Sequence, residues 1–258
     1  MSTARPLALI TGASRGIGLA IAERLAEASD LVLVARDAER LAAAAERLGA
    51  PAVATATADL GDSDGLADLV SRLRAHTERL GRPITVLVNN AGAASSAPLG
   101  RTPDALFDRM IALNARAPFA LARALVPGMI EAGGGRVINV ASTAALKGYA
   151  YTAAYSASKA AVVGWTRALA VEVARKGVTV NAVCPGFTDT DIASDAIANI
   201  QRSTARSEDE ARTALARFSP LQRLLDPKEV ADLVAYLASP AAAAINGQAI
   251  AIDGGETA

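Results

Sequence analysis

Short aliphatic runs with no polar alternation, each followed by a longer stretch of helical spacing, set the rhythm of this chain. The runs are Leu7–Thr11, Leu31–Ala35, Ala52–Ala56, Ile84–Val88, Arg136–Val140, Thr179–Cys184 and Gln248–Ile252. The stretches between them, Gly16–Ala28, Ala38–Leu48, Ser63–Leu80, Pro103–Asn114, Pro118–Ala132, Ala153–Arg175 and Pro227–Leu237, read as helices. A strand without alternation is apolar on both faces, so it belongs inside a sheet that helices cover on both sides. Right-handed crossovers then predict an α/β architecture with a doubly wound, parallel, seven-stranded sheet. The 258 residues suit one domain spanning 1–258 rather than two. One segment, 191–219, breaks the rhythm: it is polar, helical in pattern and placed after a strand end, where a lid over a ligand crevice is expected.

Composition narrows the function classes. Lys+Arg and Asp+Glu number 26 each, so the broad attraction that nucleic-acid binders rely on is missing. No apolar run reaches the ~18 residues that a membrane helix needs. Cys184 is the one cysteine, which rules out an intrachain disulfide and fits a reducing compartment. The first strand begins at Leu7, so no leader is expected, and the reading is a soluble cytoplasmic protein.

The first strand ends in Thr11-Gly12-Ala13-Ser14-Arg15-Gly16-Ile17-Gly18, and a helix follows. Glycine permits a tight turn and lets backbone N–H groups approach a pyrophosphate, while the helix N-terminus adds partial positive charge. Strand, turn and helix in that order suit a Rossmann-like dinucleotide site with Gly12, Ser14, Arg15, Gly16, Ile17 and Gly18 at the phosphates. The spacing is G-x-x-x-G-x-G rather than G-x-G-x-x-G, so the turn alone also fits plain strand–helix packing. The second strand ends Val34-Ala35-Arg36-Asp37. An acid in place of Ala35 would bind a ribose hydroxyl and select NAD(H). Instead Arg36 follows, and Arg15 can close on the same 2′-phosphate. NADP(H) is therefore favoured. NAD(H) is the alternative, because Asp37 can pair with Arg36 or accept from a hydroxyl. Asp59-Leu60 is placed to meet an adenine amino group. Asn90-Ala91-Gly92 follows the fourth strand, where asparagine also serves as a turn cap.

Tyr155 and Lys159 lie four residues apart at the start of a helix and share one face. Bringing a phenol from near 10 to about 7 takes roughly 4 kcal/mol. A lysine cation about 4 Å away, in an effective dielectric near 20, supplies an energy of that order. The pair is a candidate acid/base, although Y-x-x-x-K alone is a common surface pattern. Ser142, just past the fifth strand, can donate to a substrate oxygen. Asn114, at a junction of two helices, reads either as a helix cap or as the anchor of a water that relays protons to Lys159. Pro185, Gly186, Thr188 and Thr190 follow the sixth strand, within reach of a cofactor's carboxamide or phosphates.

TGASRGIG at 11–18, NNAG at 89–92, Asn114, Ser142, Tyr155, Lys159, NAVCPG at 181–186 and the terminal Asp253-Gly254-Gly255 stand in a familiar order and spacing. Over nearly its whole length the chain resembles the short-chain dehydrogenase/reductase family. The resemblance implies Tyr155 as acid/base, Lys159 lowering its pKa and binding the nicotinamide ribose, Ser142 orienting the carbonyl and Asn114 holding the relay water. It implies an oxidoreductase that moves a hydride between the nicotinamide and a ketone or secondary alcohol, assembled as a homotetramer or homodimer. The branch it looks most similar to reduces 3-oxoacyl thioesters. Members serving acyl carrier protein present basic residues near the entrance. This chain has Glu131-Ala132 and Val171 there, which favours a CoA thioester or a similar small ketone. The alternatives are an NAD-dependent secondary-alcohol or 3-hydroxyacyl-CoA dehydrogenase and, from another class, a non-catalytic nucleotide-sensing protein.

Tyr149 and Thr152 either line the substrate pocket or merely pack their loop. The lid carries Arg202, Arg206, Arg212 and Arg217. A solvated helix with a Glu208–Arg212 pair is preferred over a clasp on CoA phosphates. Cys184 reads as a buried small hydrophobe and His76 as solvent-facing. With one histidine, no metal site is expected.

Overall fold

The computed structural model describes residues 5–49 and 54–258. Its elements run β1 (Leu7–Thr11), α1 (Gly16–Leu25), β2 (Asp30–Ala35), α2 (Ala38–Leu48), β3 (Ala54–Thr57), α3 (Ser63–Leu80), β4 (Val86–Asn89), α4 (Asp104–Ile111), α5 (Ala117–Glu131), β5 (Gly135–Val140), α6 (Ala153–Val173), β6 (Val178–Pro185), α7 (Asp191–Thr204), α8 (Glu208–Ala216), α9 (Pro227–Ala238) and β7 (Ala249–Ile252). The strands form one seven-stranded sheet in the order β3-β2-β1-β4-β5-β6-β7, every pair parallel. Strand order reverses between β1 and β4. In an open parallel sheet that reversal leaves a crevice at the strands' carboxyl ends.

The apolar strands divide their side chains between two cores, because successive residues point to opposite faces. Leu9, Val32, Val34, Leu87, Val137 and Val180 pack with Leu69 of α3, Leu121 of α5 and Val173 of α6. Ile10, Leu31, Leu33, Val88, Ile138 and Val183 pack with Ile21 of α1, Leu41 of α2 and Val234 of α9. Both faces are therefore covered, as the missing alternation requires.

Several boundaries differ from expectation. The third run, Ala52–Ala56, begins outside the described residues, and its described part is the strand Ala54–Thr57. Ile84 and Thr85 precede β4 rather than opening it. The expected helix Pro103–Asn114 ends at Ile111 and passes through a π-turn, Ala112–Arg116, into α5. Pro118 has no N–H to offer the carbonyl four residues earlier, that of Asn114, so regular α bonding is interrupted there. The segment expected as a lid forms two helices, α7 and α8, with their own small core of Ala193, Ile197, Ala211, Leu215 and Leu224.

Candidate active site

The glycine turn lies at the β1 end of the crevice. Gly12 and Gly16 have φ of +66° and +53°, values that only glycine adopts without strain. A Cβ on Gly18 would lie 2.1 Å from the Gly12 carbonyl oxygen, so α1 presses directly on the turn. Asn90 and Ala91 brace it from β4. Thr11 Oγ1 accepts both their N–H groups at 3.0 Å, and Asn90 Nδ2 donates to the Thr11 carbonyl at 2.9 Å. Helices α2 and α3 are capped by Asp37 and Asp62. Helix α1 has neither a side-chain cap nor an acid in its first turn. Its N-terminal N–H groups are thus left for an anion.

Arg36 is exposed at the end of β2 and forms no ion pair among the described residues. Asp37 does not pair with it, because the carboxylate caps the Arg40 N–H at 3.0 Å and faces the Arg40 guanidinium. The Arg15 guanidinium pairs with Asp191, the first residue of α7. Asp59 is exposed and accepts from the Gly61 N–H at 2.8 Å, with Leu60 buried next to it. Thr188 Oγ1 donates to the Gly186 carbonyl at 3.0 Å. The Thr190 methyl packs against the position a Gly16 side chain would take, at 3.2 Å. Ser14 and Ile17 lie just after β1, Gly92 just after β4, and Pro185 ends β6.

The polar floor is buried beside it. Asn114, in the π-turn, donates from Nδ2 to the Ala93 carbonyl at 2.9 Å and to Ser158 Oγ at 3.0 Å, and accepts from the Ala93 N–H at 3.0 Å. Ser158 in turn donates to the Tyr155 carbonyl at 2.7 Å. A Cβ on Gly92 would come within 3.0 Å of Asn114 Oδ1 and 3.4 Å of Lys159 Nζ, so both groups crowd this glycine. Lys159 Nζ donates to the Val140 carbonyl at 2.8 Å and lies 5.9 Å from the centre of the Tyr155 ring.

Burial governs the protonation of this pair. It lowers Lys159 to about 8 and raises the Tyr155 phenol, against a smaller opposing pull from the Ser142 hydroxyl. In the protein alone burial is the largest influence on the phenol, and the ammonium expected to lower it is turned to the Val140 carbonyl.

Residues 6–201 match the family model of the short chain dehydrogenase. The chain belongs to the short-chain dehydrogenase family. Membership makes it an oxidoreductase of the alcohol–carbonyl class. A putative ketoacyl reductase of Streptomyces coelicolor is 39% identical over 252 residues, 96% of each chain. The 3-oxoacyl-acyl-carrier-protein reductase FabG of Vibrio cholerae is 39% identical over 254 residues, again 96% of each. Among solved structures, a variant actinorhodin polyketide ketoreductase with NADPH superposes with a TM-score of 0.91 at 38% identity, covering 98% of this chain and 97% of that one. The L-sorbose reductase of Gluconobacter frateurii, complexed with NADPH and L-sorbose, gives 0.90 at 32% identity, covering 97% and 96%.

In this short-chain dehydrogenase the loop between β5 and α6 is tightly braced. Thr152 Oγ1 donates to the Tyr149 carbonyl at 2.9 Å and lies 3.0 Å from Ser156 Oγ, so its hydroxyl serves the loop itself. Ser142 Oγ accepts from the Ala144 N–H at 3.1 Å. The expected Glu208–Arg212 pair does not form. Arg212 pairs with Asp189, which the β6 turn brings closer, while Arg202 donates to Asn199 Oδ1 at 2.8 Å. Cys184 is buried and its thiol is pushed up to about 11, so it is held as the unreactive thiol. His76 lies at the surface with its ring partly covered by the exposed Arg79 guanidinium at 3.0 Å. No cluster of metal-ligating residues occurs, and no helix is long and apolar enough to cross a membrane, among the described residues. Sequence reasoning missed Ser158 and Glu256. Ser158 had a signal, its place one residue before Lys159; Glu256 had none.

Proposed function

We propose that this short-chain dehydrogenase reduces a ketone to a secondary alcohol with NADPH. The convergence of Tyr155, Ser142, Lys159 and Asn114 beside the strand-end crevice carries this reading. The dinucleotide fits the residues present: the bare α1 N-terminus, held tightly against the turn at Gly18, offers its N–H groups to a pyrophosphate at Gly12, Ser14, Arg15, Gly16, Ile17 and Gly18. Arg36 would hold the 2′-phosphate, Asp59 and Leu60 the adenine, Asn90, Ala91 and Gly92 the ribose, and Pro185, Gly186, Thr188 and Thr190 the nicotinamide end. Bound there, NADPH supplies the hydride that the carbonyl carbon accepts.

The chain's own residues supply the rest. Ser142 donates to the carbonyl oxygen. Tyr155 gives its proton to that oxygen as it becomes a hydroxyl. Lys159 binds the nicotinamide ribose and stabilises the phenolate that results. Asn114 holds the water through which the proton returns, next to a carbonyl that Pro118 cannot engage.

The substrate we assign is a 3-oxoacyl thioester. The ketoacyl reductases among the relatives support it, and the missing basic residues at Glu131-Ala132 and Val171 favour CoA over a carrier protein. The assembly we assign is a homotetramer: Phe107 of α4, Phe119 of α5 and Val171 of α6 are exposed apolar residues on packed helices. Acetoacetyl-CoA with NADPH, followed by nicotinamide absorbance, tests the reading. Turnover with NADPH well above that with NADH is expected. Tight NADPH binding without turnover on any ketone would sink it in favour of a nucleotide sensor.

A further inference from the structure

Near the end of the chain lies a buried carboxyl group that no step above uses. Glu256 follows β7, and its side chain is 0% exposed. One carboxyl oxygen accepts a hydrogen bond from the Tyr149 phenol and lies 3.4 Å from the Lys147 ammonium. Lys147 also donates to the Glu256 carbonyl at 3.0 Å. The other carboxyl oxygen, Oε2, has no hydrogen-bond partner among the described residues, and a Cβ on Gly186 would lie only 3.0 Å from it. An orphaned buried acceptor opposes stability, so what its twin oxygen holds is what the arrangement gains.

Tyr149 has one proton and two polar neighbours. The carboxyl group is the stronger acceptor, so the Thr143 hydroxyl, 2.7 Å away, donates to the phenol. Burial and the Glu256 contact both push the Tyr149 phenol well above its ordinary value, which keeps it a donor. Thr143 adjoins Ser142. The Tyr149 ring meets Phe187 at 6.1 Å and Phe218 at 5.8 Å, and those two meet at 5.3 Å. These rings come from three separate segments: the β5–α6 loop, the turn after β6 and the end of the lid. The turn bearing Glu256 is itself fixed. Asp253 accepts the Gly255 and Thr257 N–H groups at 2.9 Å, and Ser219 Oγ at the lid's end donates to the Asp253 carbonyl at 2.9 Å.

We propose that Glu256 is a positioning residue for ketone specificity: through Tyr149 it holds the aromatic wall that joins the Ser142 loop to the lid. The ligand in this statement rests on the ketoreductase reading; the clamp itself does not. Glu256→Leu, Glu256→Gln, Tyr149→Phe and the Glu256→Leu/Tyr149→Phe double variant test it with NADPH, acetoacetyl-CoA and a 3-oxo-3-phenylpropanoyl thioester. Glu256→Leu and Tyr149→Phe each raise the ketone KM about tenfold. The double variant is no worse than either single one, because both cut one hydrogen bond. Glu256→Gln, whose amide oxygen still accepts the phenolic proton, recovers most of the loss, and the KM for NADPH stays put in all four. Ketone KM values unchanged in Tyr149→Phe, or losses that multiply in the double variant, overturn the proposal, and Tyr149→Phe decides even if Glu256→Leu fails to fold. Should the wild type reduce no ketone, the ketoreductase reading fails separately. A crystal structure of Glu256→Leu then decides the clamp: a Tyr149 ring displaced from Phe187 and Phe218 supports it, an unmoved ring overturns it.

Discussion

On the floor of the site, Asn114, Ser158 and Lys159 are 2%, 0% and 5% exposed, and each polar head is engaged by a neighbour from another segment or turn. In the lid, α7 and α8 share a small apolar cluster, and the ion pairs Arg15–Asp191 and Arg212–Asp189 are half exposed. Losing a buried partner strands a polar group at about 1–3 kcal/mol, whereas an exposed ion pair contributes about 0–1 kcal/mol. The floor is therefore fixed before any ligand arrives. The α7–α8 segment is held by contacts that cost little to break, as the proposed cover over a crevice requires.

The sharpest way to break this contrast is Tyr155→Phe. It should lower kcat by about 10³-fold, the scale of a lost general acid, with NADPH affinity unchanged by titration. Near-full rate would move the chemistry off the floor. Asn114→Leu should follow, since it strands the Ala93 amide and carbonyl. Urea unfolding should show a loss of roughly 2 kcal/mol or more, and a neutral result would mean the floor is less fixed than described.

Lys159 gives the contrast a pH signature. Burial holds it at about 8 against an ordinary 10.5. Between those values the unfolded chain binds the proton that the folded chain releases, so this group adds stability as pH rises. Wild-type stability should gain on that of Lys159→Met from pH 8 to 10.5, and a difference flat across that window would place the ammonium in water. Arg36→Ala, at the exposed rim, should raise the KM for NADPH about tenfold and leave that for NADH nearly alone; equal shifts would remove the 2′-phosphate role. Arg212→Ala should be smallest, shifting the unfolding free energy by about 0.5 kcal/mol or less. A larger loss would make the lid part of the rigid body.

Much of the floor's membership was legible, its wiring was not. The i, i+4 spacing puts Tyr155 and Lys159 on one face, but the ammonium turns to Val140 because the β5 carbonyl is the acceptor that packing presents. Asn114 was visible at a helix junction, while the π-turn came from Pro118, whose missing N–H was not weighed. Glu208 and Arg212 satisfied the helical pairing rule and still parted, since Asp189 offered a closer carboxylate. In each case a local rule competed with a group from a distant segment.

Sequence by itself determined the strands, the order of turns and the glycines of the nucleotide crevice, because apolar patterning, capping and positive φ act within a few residues. Tertiary structure alone decided the contacts between Asn114 and Ser158, 44 residues apart, and between Lys147 and Glu256, 109 apart. Such pairs carry no local signature. They arise only when strand crossovers bring distant chain ends to the same edge of the sheet, where a buried polar atom must take whichever partner the packing supplies.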